Sequence, residues 1–199
     1  MNFSNATILI TGGNSGIGRG LAEALAALGA KIIITGRNKD RLSEVVEANP
    51  GMAAYELDVT SDAAIEAFAE KVVIEHPDLN AVIHNAGILP YENVLADRYD
   101  MEIVGQVFRT NLMAPIRLTA ALLPHLRAKE EAAIVTVSSG LAFVPLASAS
   151  AYSASKAAIH SWSQSMRHEL RSTNIALLEV AYRNLVAVSL SPTHVHTHE

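Results

Sequence analysis

The sequence contains no cysteine, so disulfide bonds and thiolate metal ligands are both excluded. It also has little excess charge of either sign. The 15 Lys and Arg residues stand against 20 Asp and Glu residues, which gives a net charge of −5. The cations are dispersed among the acids rather than gathered in a stripe. This distribution argues against a nucleic-acid or membrane partner and favours a small-molecule ligand.

Long apolar runs are missing as well. No uninterrupted apolar stretch approaches the roughly 20 residues that a membrane-spanning helix needs. Residues 1–11 lack the basic start and the long apolar core of a secretory signal, so we expect a cytoplasmic protein. With 199 residues, of which 50% are hydrophobic, the chain can bury one substantial core, and we expect a single compact domain.

The sequence instead contains a regular alternation of apolar, β-branched runs with segments of helical periodicity. Residues 16–29 repeat apolar side chains at helical spacing, residues 61–73 open on a serine that can cap a helix, and residues 97–128 suit a long helix that Pro115 would kink. Short strands that are apolar throughout, each followed by a helix, indicate a doubly wound α/β fold with a mainly parallel six-stranded sheet. The six runs are 6–11, 31–35, 53–57, 80–84, 132–138 and 175–181.

The first run leads directly into a glycine-rich turn, TGGNSGIG at residues 11–18. Glycines allow a tight turn and let bare backbone approach a pyrophosphate, while the following helix N-terminus offers unpaired N–H groups. The position after a strand and before an amphipathic helix predicts a dinucleotide-binding turn. The alternative is a helix-start turn that binds no ligand.

The end of the second run bears on the choice of dinucleotide. Folds that prefer the unphosphorylated cofactor place an acid here to bind the ribose hydroxyls, whereas a 2′-phosphate needs a cation. This sequence has Gly36 followed by Arg37, whose planar guanidinium can bind a phosphate through two donors. We therefore expect NADP(H) to be favoured over NAD(H). The alternative, a solvated helix face, is the interpretation that we prefer for Lys39 and Arg41.

The segment YSASK at residues 152–156 separates a phenol from an ammonium by three small residues. If this segment is helical, Tyr152 and Lys156 lie one turn apart on the same face. Further motifs are NAG at 85–87, the Asn of RTN at 111, and the serine pair of VTVSSG at 138–139.

These motifs, together with the glycine turn, resemble those of the short-chain dehydrogenase/reductase family over residues 5 to about 181, and within it those of the DltE-like oxidoreductases. The resemblance implies a three-layer Rossmann fold and an oxidoreductase that transfers a hydride between NADP(H) and a carbonyl or alcohol substrate. It also implies a homodimer or homotetramer. No metal is expected.

The resemblance also implies a catalytic set of Asn111, Ser139, Tyr152 and Lys156, in which Asn111 organises a proton-relaying water near the lysine. Asp58 is expected to contact the adenine, and residues 85–87 to line the floor of the cofactor site. The full expected set of cofactor-binding residues is Gly12, Asn14, Ser15, Gly16, Ile17, Gly18, Arg37, Asp58, Val59, Asn85, Ala86, Gly87, Tyr152 and Lys156.

The chemistry of carbonyl reduction explains why a phenol and a lysine would be paired. Hydride addition needs a proton for the developing alkoxide, and a tyrosine can supply it if its pKa, ordinarily about 10, is lowered towards neutrality. A unit charge about 4 Å away contributes about 4 kcal/mol at an effective dielectric of 20, which is the required magnitude. We therefore expect Lys156 to lower the pKa of Tyr152. A serine hydroxyl aimed at the carbonyl oxygen would stabilise the developing charge.

Two of these assignments have alternatives. Ser138 competes with Ser139 for the catalytic role; the resemblance favours the second serine, which leaves Ser138 a structural or backbone contact. Asn111, taken alone, would more often be a residue that bonds local backbone.

We do not expect the histidines to be catalytic. His84, His160 and His168 lack an evident partner in the sequence and are interpreted as structural or exposed. The alternating His194, His196 and His198 could form a weak metal tail, but a disordered polar end is the preferred interpretation.

The sequence departs from the family after residue 181. No Pro-Gly segment follows the sixth run, so the family's seventh strand and substrate-covering region are expected to be missing. Residues 185–190 could form a strand but follow too closely for a parallel crossover. We therefore expect a catalytic domain at 1–181 and a divergent tail at 182–199. The alternative function is a non-catalytic or impaired NADP-binding or subunit-interaction module.

Overall fold

The six apolar runs form one parallel sheet. The computed structural model describes residues 3–96 and 99–182. Its strands lie in the order β3-β2-β1-β4-β5-β6, and every neighbouring pair is parallel, which confirms the predicted doubly wound fold. Each predicted run differs from its strand by one residue at one end. The strands are β1 Thr7–Thr11, β2 Lys31–Gly36, β3 Ala53–Glu56, β4 Leu79–His84, β5 Ala132–Ser139 and β6 Ile175–Tyr182.

Helices cover both faces of this sheet and produce three layers. The helices α3, α5 and α6 pack on one face, and α1 and α2 on the other. The helices are α1 Gly16–Ala27, α2 Lys39–Ala48, α3 Asp62–Glu75, α4 Met101–Phe108, α5 Ala114–Arg127 and α6 Ser150–Leu170.

The central strand β1 shows why these runs have to be apolar throughout. Leu9 packs into the core on the α3, α5 and α6 side, whereas Ile8 and Ile10 pack into the core on the α1 and α2 side. All three side chains are completely buried. Because neighbouring residues of a strand point to opposite faces, a strand covered on both faces loses the alternation of polar and apolar residues.

The single long helix predicted at 97–128 is wrong in its extent. The chain forms α4 from Met101, then a π-helical turn at Arg109–Met113, and then α5. Pro115 lies in the first turn of α5, where its missing N–H is tolerated. It also cannot donate to the carbonyl of Asn111, four residues earlier, which removes the α-helical partner of that carbonyl.

The predicted boundary between domain and tail lies close to the end of the described chain. Tyr182, assigned to the tail, is the last residue of β6. The predicted strand at 185–190 and the three histidines of the tail lie outside the described residues, so the division at 181 stays a prediction. Across the described ranges, no helix is both long and apolar enough to cross a membrane.

Candidate active site

A cleft of about 710 Å³ opens where the parallel strands end at their carboxyl edge. This is the edge at which doubly wound sheets bind ligands. Most of the residues predicted to bind a cofactor line it together: Gly12, Asn14, Ser15, Ile17, Gly18, Arg37, Asp58, Val59, Asn85, Ala86 and Gly87.

The glycine turn between β1 and α1 packs closely against its neighbours. Gly12 has a φ of +66°, in the left-handed region that favours glycine. A Cβ on Gly18 would lie 2.2 Å from the carbonyl oxygen of Gly12 and 2.4 Å from Nδ2 of Asn85. The turn therefore presents backbone and the N-terminus of α1 to the cleft, an arrangement that suits a pyrophosphate.

The end of β2 places a cation beside the cleft. Gly36 lies against the Asn14 side chain, since a Cβ there would be 2.6 Å from its Cγ. Arg37 follows and is exposed. Across the cleft, Asp58 accepts hydrogen bonds from the backbone N–H and the hydroxyl of Thr60, at 2.9 and 2.8 Å. These bonds, and then the charge of Arg37, hold the pKa of Asp58 below its ordinary value.

Asn85 ties the end of β4 to the glycine turn. Its Nδ2 donates to the carbonyl oxygens of Thr11 and Gly12, at 3.0 and 3.2 Å. The backbone N–H groups of Asn85 and Ala86 both donate to the Thr11 hydroxyl, at 3.1 Å each. The floor of the cleft is thus a hydrogen-bonded junction between two strands.

Gly87 joins this floor to the predicted catalytic residues. A Cβ on Gly87 would lie 3.3 Å from Oδ1 of Asn111 and 3.7 Å from Nζ of Lys156. The dinucleotide cleft and the amine of Lys156 are therefore separated by little more than a glycine backbone.

Tyr152 and Lys156 lie on α6 as the spacing predicts. The Lys156 Nζ is 5.6 Å from the centroid of the Tyr152 ring and donates to the carbonyl oxygen of Val137 at 2.8 Å. Only 5% of Lys156 and 4% of Tyr152 are exposed. Burial lowers the pKa of Lys156 from its ordinary value to about 8.

The pKa of Tyr152 shifts in the direction opposite to the predicted one. Burial raises the pKa of the Tyr152 phenol above its ordinary value, and hydrogen bonding by Ser139 offsets only part of this effect. The phenol is deeply buried, and desolvation disfavours the phenolate whatever the spacing to the ammonium.

The two serines of β5 differ in their contacts. Ser139 accepts a hydrogen bond from the backbone N–H of Leu141 at 3.1 Å and interacts with Tyr152. The hydroxyl of Ser138 is buried and has no hydrogen-bond partner among the described residues, so the expected structural or backbone contact of this side chain is not found there.

Asn111 lies in the π-helical turn and bonds backbone that is distant in sequence, not local backbone. Its Oδ1 accepts from the N–H of Ile88 at 2.9 Å, and its Nδ2 donates to the Ile88 carbonyl oxygen at 3.0 Å. The same Nδ2 donates to the Ser155 hydroxyl at 3.1 Å. Asn111 therefore links the segment after the NAG motif to the helix that carries Tyr152 and Lys156.

The sequence and fold comparisons agree with this geometry. The family model described as short chain dehydrogenase matches residues 6–186. The chain belongs to the short-chain dehydrogenase family.

Three relatives illustrate the family match. The uncharacterized oxidoreductase DltE of Bacillus subtilis is 41% identical over 91% of this chain and 72% of its own length. The 3-oxoacyl-(acyl-carrier-protein) reductase FabG of Escherichia coli is 33% identical over 91% of this chain and 74% of its own. A metagenomic short-chain oxidoreductase solved in complex with NADP is 30% identical, with a TM-score of 0.82 over 89% of this chain and 83% of its own.

Three residues expected to bind the cofactor of this short-chain dehydrogenase do not line the cleft. They are Gly16, Tyr152 and Lys156. Conversely, residues that the motifs did not reveal do line it, because the fold brings them to the same edge. These are Thr35, Gly36, Asn38, Arg41, Leu57, Thr60, Ile88 and Thr110. Arg41, interpreted from sequence as solvated, is thus exposed but borders the cleft.

His84 and His160 have structural contacts, whereas His168 is exposed. His84 is buried, its Nε2 lies 2.8 Å from the Thr119 hydroxyl, and burial lowers its pKa to about 3, so it is neutral at physiological pH. His160 is 2.9 Å from the carboxylate of Glu179 on β6, and His168 lies in the last turn of α6. The described residues contain no cluster of three or more His, Asp or Glu that could hold a metal ion.

We predict that Gly18→Ala weakens dinucleotide binding at least tenfold, because its methyl group would displace the turn or Asn85. NADPH binding measured by fluorescence titration checks this. The matched control is Gly20→Ala, two residues along α1, where nothing lies within 4 Å of the added Cβ. The control should bind normally and gain up to about 1 kcal/mol of stability from helix propensity. Normal NADPH binding by Gly18→Ala would contradict the close-approach argument.

Proposed function

We propose that this protein is an NADP(H)-dependent oxidoreductase that transfers a hydride between the cofactor and a small carbonyl or alcohol substrate. The observation that carries the proposal is the junction at Gly87, where the floor of the cleft meets Lys156 and Asn111. Lys156, which the proposal pairs with the proton donor Tyr152, lies next to the dinucleotide site there, and hydride and proton transfer require their groups to be held close together. The relative that is a 3-oxoacyl reductase supports a carbonyl substrate.

The cofactor would supply the hydride, and the protein would bind and orient it through the turn at residues 12–18 and the floor at 85–87. The turn suits a pyrophosphate because its backbone can be approached closely and α1 begins there. Asp58 and Val59 also line the cleft, and Asp58 is proposed to contact the adenine. Gly16 is proposed to act only through the shape of the turn.

In the proposed reduction, Tyr152 gives its proton to the developing alkoxide. Its raised pKa keeps the phenol protonated at neutral pH, which is the form that a proton donor requires. The Lys156 ammonium lies close enough to stabilise the phenolate as the proton leaves. Ser139, which interacts with the phenol, would donate a hydrogen bond to the substrate oxygen.

Asn111 is proposed to serve the proton path indirectly. Both ends of its side-chain amide are occupied by Ile88 and Ser155, so its side chain holds the site in shape. Its main-chain carbonyl has no α-helical hydrogen-bond donor, because Pro115 at that position lacks an N–H. We propose that this carbonyl oxygen orients a water molecule towards Lys156.

Arg37 is the basis for proposing NADP(H) over NAD(H). It follows Gly36 directly, borders the cleft, and can form a bidentate pair with a 2′-phosphate. The metagenomic relative bound to NADP supports this preference. From the family resemblance we also propose a homodimer or homotetramer.

A second candidate function is a dinucleotide-binding module without turnover. The observation that favours it is the burial of Tyr152, which is 4% exposed and does not line the cleft. Tight NADPH binding with no oxidation by a broad panel of aldehydes and ketones would favour this candidate.

We predict that Tyr152→Phe lowers the rate of NADPH oxidation by a ketone or aldehyde panel at least a hundredfold, because the substrate oxygen loses its proton donor. NADPH affinity should change less than twofold. The control is Tyr55→Phe, which removes a phenol hydroxyl that bonds Glu75 and His76 and does not line the cleft. Equal turnover by wild type and Tyr152→Phe would reject the mechanism.

We predict that Arg37→Gln weakens NADPH binding about tenfold to a hundredfold, because the 2′-phosphate loses a charge-assisted hydrogen-bonded pair. NADH binding should change less than twofold, because NADH has no 2′-phosphate. Isothermal titration with both cofactors checks this. Arg41→Gln serves as the comparison and should have the smaller effect on NADPH. If Arg37→Gln weakened both cofactors equally, Arg37 would not be the 2′-phosphate ligand.

A further inference from the structure

Glu92 lies at the N-terminus of α6 although it belongs to the segment after the NAG motif. Its Oε1 accepts the backbone N–H of Ala151 at 2.8 Å, and its Oε2 accepts the Ser150 hydroxyl at 2.7 Å. Oε2 also accepts the Tyr99 hydroxyl. The contact joins positions 58 and 59 residues apart in sequence.

The helix α6 lacks a cap of its own. Its N-cap residue is Ala149, which has no side chain to accept a hydrogen bond, and its first turn contains no acidic residue. A helix N-terminus leaves backbone N–H groups without partners and carries a partial positive charge. Glu92 supplies both the missing acceptor and the missing negative charge from another part of the chain.

The carboxylate is ionised in this position. Burial acts to raise the pKa of Glu92, but hydrogen bonds from Tyr99, Ser150 and the backbone N–H groups of Ala151 and Tyr152 outweigh it and hold the pKa below its ordinary value. An ionised acceptor forms stronger hydrogen bonds to N–H and O–H donors than a neutral one.

We propose that Glu92 is a positioning residue for Tyr152: by capping α6 from outside, it fixes the helix turn from which the phenol projects. The proposal rests on the proposed function, in which Tyr152 is the proton donor. Glu92 is not itself a catalytic residue, since its carboxylate is occupied by the start of α6 and by Tyr99.

The segment from Ile88 to Glu92 is hydrogen-bonded to the rest of the site at both of its ends. Ile88 is bonded through both backbone groups to Asn111, and the N–H of Glu92 donates to the carbonyl oxygen of Ser148 at 2.8 Å, just before α6. Residues 88–92 thus connect the floor of the cleft to the elements that carry Asn111 and Tyr152. A displacement of about 1 Å at a reacting group can lower a rate about a hundredfold. Loss of this connection would therefore be expected to lower the rate of turnover.

The test compares Glu92→Ala and Glu92→Gln with Glu66→Ala and Glu66→Gln, which make the same changes at an exposed position of α3. Single-turnover oxidation of bound NADPH by a carbonyl substrate is measured beside the NADPH dissociation constant. We expect Glu92→Ala to lower the rate about tenfold to a hundredfold and Glu92→Gln, which keeps one acceptor oxygen, to lower it less. NADPH affinity should stay within twofold, and the Glu66 variants should match wild type.

A rate in Glu92→Ala within twofold of wild type would overturn the proposal. The proposal would also be overturned if the rate and the number of NADPH-binding sites per protein fell by the same factor. That result would indicate unfolding of part of the sample and not displacement of Tyr152.

Hydrogen exchange of the peptide covering residues 149–156 separates this proposal from the proposed function, because it needs no turnover. Faster exchange there in Glu92→Ala, with the rest of α6 unchanged, supports the external cap. Unchanged exchange overturns it whatever the activity. An inactive wild type with faster exchange in the variant would reject the proposed function and the role in turnover, and would retain the cap alone.

Discussion

The buried ammonium of Lys156 is the interaction on which the site depends. It lies inside the fold, is bonded to the Val137 carbonyl, and is close to both the Tyr152 ring and Gly87. Since folding lowers its pKa to about 8, the unfolded chain holds the proton more tightly. The burial therefore destabilises the fold at neutral pH by about 3 kcal/mol, and this penalty fades as the pH rises above about 8. Ionisable groups whose pKa is strongly shifted by burial are concentrated at functional sites.

The surrounding structure holds this amine beside the dinucleotide cleft. The β4–β5 pairing ends at His84 and Thr136, next to Val137, and Asn85 then bonds the end of β4 to the glycine turn. From the other side, Asn111 binds Ile88 and Ser155. The carboxylate of Glu92 accepts hydrogen bonds from the first residues of α6. The site is therefore held by hydrogen bonds among strand ends, a π-helical turn and one helix start, on a sheet in which β1 and β5 are buried throughout.

The sequence predicted the sheet well because a strand covered on both faces must be apolar at every position, as in residues 8–10, and such runs are easily found. It also predicted the glycine turn and the shared helix face of Tyr152 and Lys156, which depend on local spacing. It did not predict the raised pKa of Tyr152, since spacing fixes a distance but not the burial of the phenol. The contact of Glu92 with α6 has no local signal, because it arises only when distant segments pack together.

The most direct test of this account is the pKa of Lys156 itself, measured by NMR of the labelled side-chain amine, with Lys156→Met to assign the signal. The account predicts a value near 8 for an ammonium held inside the protein below the cleft floor. An ordinary lysine value near 10.4 would mean that the amine is hydrated. It would contradict the buried charge from which the proposed chemistry follows.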